Sequence, residues 1–320
     1  MLYSIARIAR RRVRLSGAPF FLRAMRGWKL VDGIAMSKYI IVTETGGDVT
    51  AKMVERHGIR VVPMHVSLGG STFDDGSVPP AEIFARANKL QENPKTSGST
   101  PHDFEVAFDR IHAEEPDATI LYMSYSSVLT CSLQSALIAA EGRDYVETID
   151  TCNCSIGQSL VIVRTAAFIE NHPNCTIGDI RAFVNGLRGR VLAAFVPSDL
   201  AYLHAGGRLS NAKFLGAQLL KIKPVIQVVE GELAAVKKFR GSMAKCCRNL
   251  LDHFAAHGPL ELDRIGLAYS AGLARDIMDA VEERVRQMGF KSFDWIEVGG
   301  VIASHAGPNA FGAVVVQQEA

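Results

Sequence analysis

The first half of the chain alternates short apolar runs with segments of helical period. Runs rich in β-branched residues lie at 38–43, 60–68, 118–124 and 145–150. Strands that alternate with helices form parallel sheets, because a crossover helix returns the chain to the same edge of the sheet. The pattern therefore predicts a parallel α/β domain over residues 37–190.

The pattern changes after residue 190. Five strand-like runs follow: "RVLAAFVP", "IKPVIQVV", "GELAAVKKF", "RIGLAYS" and "SFDWIEVG". The turn-like "VEGEL" joins two of them directly, which predicts a hairpin and hence antiparallel pairing. We expect a second, smaller α+β domain over residues 191–320, with a mixed or antiparallel sheet. A chain of 320 residues that is 48% hydrophobic is long enough to bury two cores.

Residues 1–35 form a basic leader with eight Arg or Lys residues and a single acid. Such a leader is typical of a targeting or membrane-surface helix, or it reflects a start assigned too early, since Met36 directly precedes a strand-like run. We favour the second interpretation and expect the leader to be poorly ordered. Its longest uncharged stretch is too short and broken to span a bilayer, so we expect no stable membrane insertion and only transient membrane contact.

Charge and cysteine content exclude several classes of protein. The chain carries a formal net charge of +2, so without the basic leader it is mildly acidic, which argues against nucleic acid as a partner. The six cysteines show no CxxC spacing, which favours cytoplasmic thiols over disulfides. Cys152 and Cys154 lack a second Cys/His pair at a usable spacing, so we predict neither a metal nor a cofactor.

The stretch "PKTSGSTPHDF", residues 94–104, places four hydroxyl side chains around one glycine just before a helical segment. Hydroxyls and free backbone N–H groups at a helix start suit an anion, and they equally suit an ordinary helix cap. Similar polar loops, "TETGGD", "SYSSVLTCSLQSA" and "DTCNCSIGQS", follow the first, third and fourth predicted strands of the parallel sheet. GxGxxG, GxxxxGK[ST] and GxSxG are all missing from the sequence. The loops therefore predict recognition of a carboxylate or phosphate rather than a nucleophile.

Two further signals lie in the second half. Arg208 follows a double glycine, where a fork-shaped guanidinium suits a phosphate or carboxylate. The alternative is that the glycines only end a helix. His305 stands between an apolar, strand-like run and a Gly-Pro loop in "GGVIASHAGPNAFG". Its role is either structural or that of a donor to an acid headgroup.

Together these motifs resemble the DegV family of bacterial fatty-acid-binding proteins. The resemblance covers about residues 38–318 and rests on motifs in the family's order and spacing, including "IVTETGGDV", "PKTSGSTPHDF", "LAYLHAGGRLS" and "VIASHAGPNAFG". It implies a DegV-like fold and one long-chain fatty acid held in an apolar tunnel. It further implies a carrier without enzyme activity, which presents the acid to a separate fatty acid kinase that phosphorylates the carboxyl group.

The resemblance also implies site residues, position by position. The carboxylate-binding donors correspond to Thr96, Ser97, Ser126, Ser127, Thr130 and His305. Arg208 matches the arginine near the headgroup and the kinase-facing surface. The chain departs from the family where the usual "TDS" reads Thr43-Glu44-Thr45 and where Cys131 replaces a glycine, which we expect to restrict the backbone near the acid.

Two other functions remain open from the sequence. The first is a dihydroxyacetone-kinase-like phosphotransferase or other small-ligand enzyme, in which His305 holds the substrate. The second is a structural or regulatory module whose polar loops only cap helices.

Overall fold

The computed structural model describes residues 39–208 and 222–319. The predicted leader, residues 1–35, lies outside the described residues. Among the described residues, no helix is long and apolar enough to cross a bilayer.

The first sheet is parallel throughout and has the strand order β2-β1-β6-β7. Its strands are β1 Tyr39–Glu44, β2 Arg60–Val62, β6 Thr119–Ser124 and β7 Val146–Asp150. Alternate residues of β1 and β6 face opposite sides, and both sides are buried under helices. This sheet confirms the parallel α/β prediction for the first half of the chain.

A small antiparallel sheet, with the order β4-β3-β5, stands beside the first. Its strands are β3 His65–Leu68, β4 Ser71–Asp74 and β5 Lys95–Ser97. The sequence predicted one strand over 60–68, and this prediction was wrong, because the chain leaves the parallel sheet at Pro63. Proline has no N–H for a strand ladder. The Pro63 carbonyl accepts a hydrogen bond from a side chain, Ser99 Oγ, at 2.7 Å.

The third sheet is mixed and has the order β10-β9-β8-β13-β11-β12. Its strands are β8 Val191–Val196, β9 Lys223–Val229, β10 Glu232–Phe239, β11 Ile265–Tyr269, β12 Phe293–Glu297 and β13 Phe311–Val316. Strands β9 and β10 form the predicted antiparallel hairpin, and only the β11–β12 pair is parallel. A parallel sheet with a separate mixed sheet confirms the predicted fold class. The division into two domains near residue 190 stays a prediction.

Ten α-helices connect the strands of the described chain. They are α1 Ala51–His57, α2 Pro80–Leu90, α3 Pro101–Glu114, α4 Ser132–Ala139, α5 Ser155–Asn171, α6 Ile177–Arg188, α7 Ala201–Ala205, α8 Met243–Ala255, α9 Arg275–Gln287 and α10 Gly300–Ala306. Helices α8 and α9 cover one face of the mixed sheet. The apolar residues of the opposite face share a core with α5 and the parallel sheet. That shared core places the carboxyl ends of the parallel strands beside the mixed sheet.

Helix α10 corrects a second prediction. The sequence placed His305 after an apolar strand, but residues 300–306 are helical and His305 lies in the last turn. A short apolar run does not by itself distinguish a buried helix from a strand. Here Val301 packs among Val66, Leu68 and Ile83, so the run forms a buried helix over the small sheet.

Candidate functional site

A cavity lies between the mixed sheet and the loops that follow β6 and β7. The cavity is narrow, and its volume is about 760 Å³ including the part that opens to solvent. Loops at the carboxyl ends of parallel strands are where open α/β sheets bind ligands. The lining is largely apolar and comprises Tyr125, Leu129, Cys154, Ser155, Ile156, Ala193, Ala194, Phe195, Leu203, Arg208, Val228, Leu233, Ala268, Tyr269, Ser270, Val298, Ile302, His305, Ala306, Ala310, Phe311, Gly312 and Ala313.

Small residues on the central strands leave this space open. Gly312 on β13 pairs with Phe195 on one side and with Ala268 on the other. A Cβ atom at Gly312 would contact the Cβ atoms of both neighbours, at 3.4 and 3.5 Å. Because glycine and alanine occupy the centre of this sheet face, larger side chains do not fill it.

Two predicted site residues meet at the cavity. Thr96 on β5 and His305 on α10 are 209 residues apart, and Thr96 Oγ1 lies 2.8 Å from His305 Nε2. Of these two residues, His305 lines the cavity and Thr96 does not. Strand β5 holds Thr96 by pairing it with Val66 of β3. A hydroxyl and an imidazole thus lie together beside an apolar space.

Burial sets the charge of His305. Desolvation lowers the pKa of this imidazole to about 4, and the positive charge of Arg208 adds to the effect. His305 is therefore neutral at pH 7. Its Nδ1 atom is buried without a hydrogen-bond partner. A Cβ atom at Gly206 would lie only 2.2 Å from Nδ1, so glycine is needed where α7 ends against the ring.

The loop before α4 approaches the Thr96 loop through Gly98. A Cβ atom on Gly98 would lie 2.7 Å from Thr130 Oγ1 and 2.7 Å from Ser132 Oγ. Thr130 Oγ1 itself lies 3.2 Å from Ser132 Oγ. The structure thus brings the predicted residue Thr130 close to the loop that carries Thr96, whereas Ser97 in the same loop is exposed.

The remaining two predicted hydroxyls make hydrogen bonds within the protein. Ser126 Oγ donates to the carbonyl of Gly231 at 2.7 Å, which ties the loop to the turn of the β9–β10 hairpin. Ser127 Oγ donates to Asp150 Oδ2 at 2.6 Å. Neither serine is among the cavity-lining residues, and the same is true of Thr96, Ser97 and Thr130. Both hydroxyls therefore hold the loop in place in this structure.

Arg208 joins the two sides of the cavity. Its Nη1 donates to the carbonyl of Gly206 at 2.6 Å, and its Nη2 donates to the carbonyl of Leu129 at 2.9 Å. The side chain is exposed and also lines the cavity. The guanidinium therefore links the end of α7 to the loop after β6.

Cys131, the residue in place of the family glycine, takes an ordinary backbone conformation. It is the N-cap of α4, with φ −83° and ψ 1°. This φ angle is open to any residue, so the expectation that a side chain restricts the backbone here stays a prediction. The thiol is exposed, and its Sγ would lie 3.3 Å from a Cβ atom on Gly98.

Sequence reasoning missed several lining residues. Tyr125 and Cys154 lie at the cavity, and burial raises the pKa of the Cys154 thiol to about 12. A thiol with so high a pKa is protonated at pH 7 and is a poor metal ligand. Within residues 39–208 and 222–319, no three His, Cys, Asp or Glu residues are placed to hold a metal ion. Ser270 also lines the cavity, and a single serine after a strand gave no signal in the sequence.

This geometry defines a class of protein: an α/β ligand-binding protein whose apolar cavity ends at a neutral histidine and a hydroxyl. The chain belongs to the DegV family, since residues 38–318 match the family model described as "Uncharacterised protein, DegV family". The chain is 29% identical to a DegV domain-containing protein of Streptomyces coelicolor over 289 residues, which cover 88% of this chain and 99% of the relative. A DegV domain-containing protein of Caldanaerobacter subterraneus is 26% identical over 283 residues, which cover 87% of this chain and 98% of the relative.

Solved structures show the same fold. A fatty-acid-binding DegV family protein from Thermus thermophilus superposes with a TM-score of 0.77 at 29% identity, over 88% of this chain and 99% of that one. DegV of Bacillus subtilis, itself a fatty acid binding protein, superposes with a TM-score of 0.75 at 22% identity and covers 88% of this chain. At that lower identity, the likeness shows the fold alone.

Proposed function

We propose that this protein binds a long-chain fatty acid, with the chain in the apolar cavity and the carboxylate at Thr96 and His305. The observation that carries the proposal is the meeting of these two side chains at a narrow apolar space. Each buried CH₂ group contributes about 0.8 kcal/mol, so the tail supplies most of the affinity. The fatty acid bound by the Thermus thermophilus protein of the same fold supports this choice of ligand.

The hydrogen-bond roles at the polar end follow from the tautomer of His305. A buried N–H without an acceptor is rarer in proteins than a buried acceptor without a donor. Because Nδ1 has no partner, we assign the proton of the neutral ring to Nε2, which then donates to Thr96 Oγ1. The hydroxyl proton of Thr96 is then free to donate to a carboxylate.

Thr130 and Ser97 are the further donors that we propose for the carboxylate. Thr130 lies next to Gly98, and its hydroxyl shares a weak 3.2 Å contact with Ser132 that a ligand can replace. Ser97 is exposed beside Thr96. The hydroxyls of Ser126 and Ser127 are already used, so they come to the carboxylate only if the loop rearranges.

We also propose that the protein is a carrier rather than an enzyme. It presents the bound acid to a separate fatty acid kinase, in the cytoplasm, so that an acyl phosphate forms for phospholipid metabolism. Arg208 supports this step because its guanidinium is exposed beside the polar end of the cavity, where a cation can steer a partner.

Substitution of Thr96 tests the proposal. Thr96→Ala removes a hydrogen bond to a charged group, which costs about 1.5 to 3 kcal/mol, so affinity for a fluorescent fatty acid should fall roughly ten- to hundredfold. The matched control is Thr176→Ala, outside the Thr96 loop and the cavity lining. Thr176 caps α6, with Asp179 completing the capping box, so its loss should lower stability by about 1 kcal/mol and leave binding intact.

Extraction of the purified protein followed by mass spectrometry identifies the ligand directly. We expect stoichiometric long-chain fatty acid. A covalent adduct on His305 would favour a small-ligand enzyme instead. Equal affinities of wild type and folded Thr96→Ala would remove Thr96 from the site.

A further inference from the structure

Ser270 is a buried polar residue that the carboxylate site does not use. It follows β11, it is one of the residues that line the cavity, and it is only 1% exposed. Its backbone N–H donates to Ala310 O at 3.0 Å, and its carbonyl accepts from Leu273 N at 3.3 Å. The hydroxyl has no hydrogen-bond partner. Both backbone groups are satisfied, so the hydroxyl is the one free polar group of this residue.

A buried hydroxyl without a hydrogen-bond partner lowers the stability of the folded protein. Removing it from water without a partner disfavours the folded protein, so native structures almost always supply one. The nearby lining is apolar and small, and it includes Ala268 two residues earlier and Ala310, which is bonded to the backbone of Ser270. The cavity therefore combines an unused donor and acceptor with small side chains that leave room for a substituent.

The lining of the cavity suits a neutral ligand group, rather than a charged one, as a partner for the Ser270 hydroxyl. Arg208 is the only charged side chain among the cavity-lining residues of the described chain, and it is bonded to Gly206 and Leu129 near His305. An ionised carboxylate at Ser270 would be desolvated without a counter-charge. A hydroxyl or keto oxygen carries no such penalty, and Ser270 can donate to either one.

We propose that Ser270 is a specificity-determining residue that favours acyl chains bearing a neutral oxygen, a hydroxyl or a keto group, along the chain. The inference rests on the proposed function, because it assumes that the carboxylate binds at Thr96 and His305 while the chain passes Ser270. Unsubstituted fatty acids bind as well, but they leave this hydroxyl unpaired.

The test uses a series of octadecanoic acids that each carry one hydroxyl at a different position, with stearic acid as the reference. Dissociation constants are measured for wild type and Ser270→Ala. For each protein, the affinity for an isomer is divided by the affinity for stearic acid. For isomers whose hydroxyl reaches Ser270, this ratio should be about tenfold higher in wild type than in Ser270→Ala. Stearic acid itself should bind both proteins with nearly equal affinity.

Ser304→Ala is the matched control. Ser304 is also 1% exposed, but its hydroxyl donates to Gly300 O at 2.7 Å and it does not line the cavity. Its loss should leave the preference among isomers unchanged. The same isomer preference in wild type and Ser270→Ala, or no preference in wild type, would overturn the inference. Failure of both proteins to bind stearic acid would instead overturn the proposed function.

Discussion

Replacing Glu44 with glutamine should change how the stability of the protein depends on pH. Glu44 ends β1 and is fully buried. Burial raises the pKa of this carboxyl to about 7, although the backbone N–H of Tyr125 donates to Oε1 at 2.9 Å and opposes the rise. Oε2 has no partner within hydrogen-bond geometry, and the side chains of Tyr122 and Gln158 beside the carboxyl only partly oppose the rise in pKa. The carboxyl is thus placed as a neutral acid.

The size of the effect follows from the two states of the chain. The unfolded chain loses the Glu44 proton near its ordinary pKa of 4.5, whereas the folded protein keeps it to about 7. Between these values the folded protein binds more protons, so the free energy of unfolding falls as pH rises. A difference of about 2.5 pKa units corresponds to about 3 kcal/mol, lost between pH 4.5 and 7.

Glu44→Gln should remove this pH-dependent contribution to the free energy of unfolding. Glutamine keeps an oxygen for the Tyr125 N–H and supplies a permanent donor, as the protonated acid does. Burial also raises the pKa of Asp48 to about 7, so the free energy of unfolding of the variant should still fall partly as pH rises. We expect wild type and variant to be similar near pH 5 and the variant to be more stable by up to about 3 kcal/mol at pH 8.

Urea denaturation at pH 5, 6, 7 and 8 measures the difference. Glu141→Gln is the control, because Glu141 is exposed in the turn after α4 and its replacement should leave the pH dependence as in wild type. Parallel curves for Glu44→Gln and wild type across this range would refute the account of Glu44 as a buried neutral acid.

Two further substitutions test the polar end of the cavity. Gly206→Ala should weaken fatty-acid binding, because the new Cβ would lie 2.2 Å from His305 Nδ1 and displace the ring. The backbone itself accepts alanine, since φ at Gly206 is −76°. Gly186→Ala is the control and should bind normally, because no atom lies near its Cβ. Arg208→Ala should keep the fatty acid but reduce phosphorylation by the cognate kinase, and wild-type transfer should fall as salt rises. Phosphate transfer measured with and without the kinase checks this, and turnover by the wild-type protein alone would contradict the carrier proposal.

Hydrophobic periodicity predicted the elements whose burial in the fold matches the pattern of their own residues. Strands β1 and β6 are apolar runs buried on both faces, the edge strand β7 is a half-buried run, and the β9–β10 hairpin carries its turn in the sequence. Helix α10 and strand β13 are different. Both are short apolar runs, and only packing decides which is helical. Val301 packs over the small sheet, whereas the run at 311–316 pairs with strands on both sides.

The candidate site was predictable only in its polar part. Thr96 and His305 stood out because of motifs, yet their 2.8 Å contact depends on the fold joining residues 209 positions apart. The cavity had no sequence signal, because an alanine that leaves space and one that fills a core look the same. The hydrogen bond of Ser126 was equally unpredictable from the sequence, because its acceptor is a carbonyl in the distant hairpin turn.

The loop before α3 shows why a helix cap and a binding site need not be alternatives. Thr100 caps the helix with Asp103, and Ser99 is fully buried and bonded to Pro63. These bonds fix the backbone on one side of Thr96, and the pairing of β5 with β3 fixes the other. A donor held in place before binding loses less conformational entropy when the carboxylate arrives. The capping residues therefore contribute to affinity through the position of Thr96, without touching the ligand.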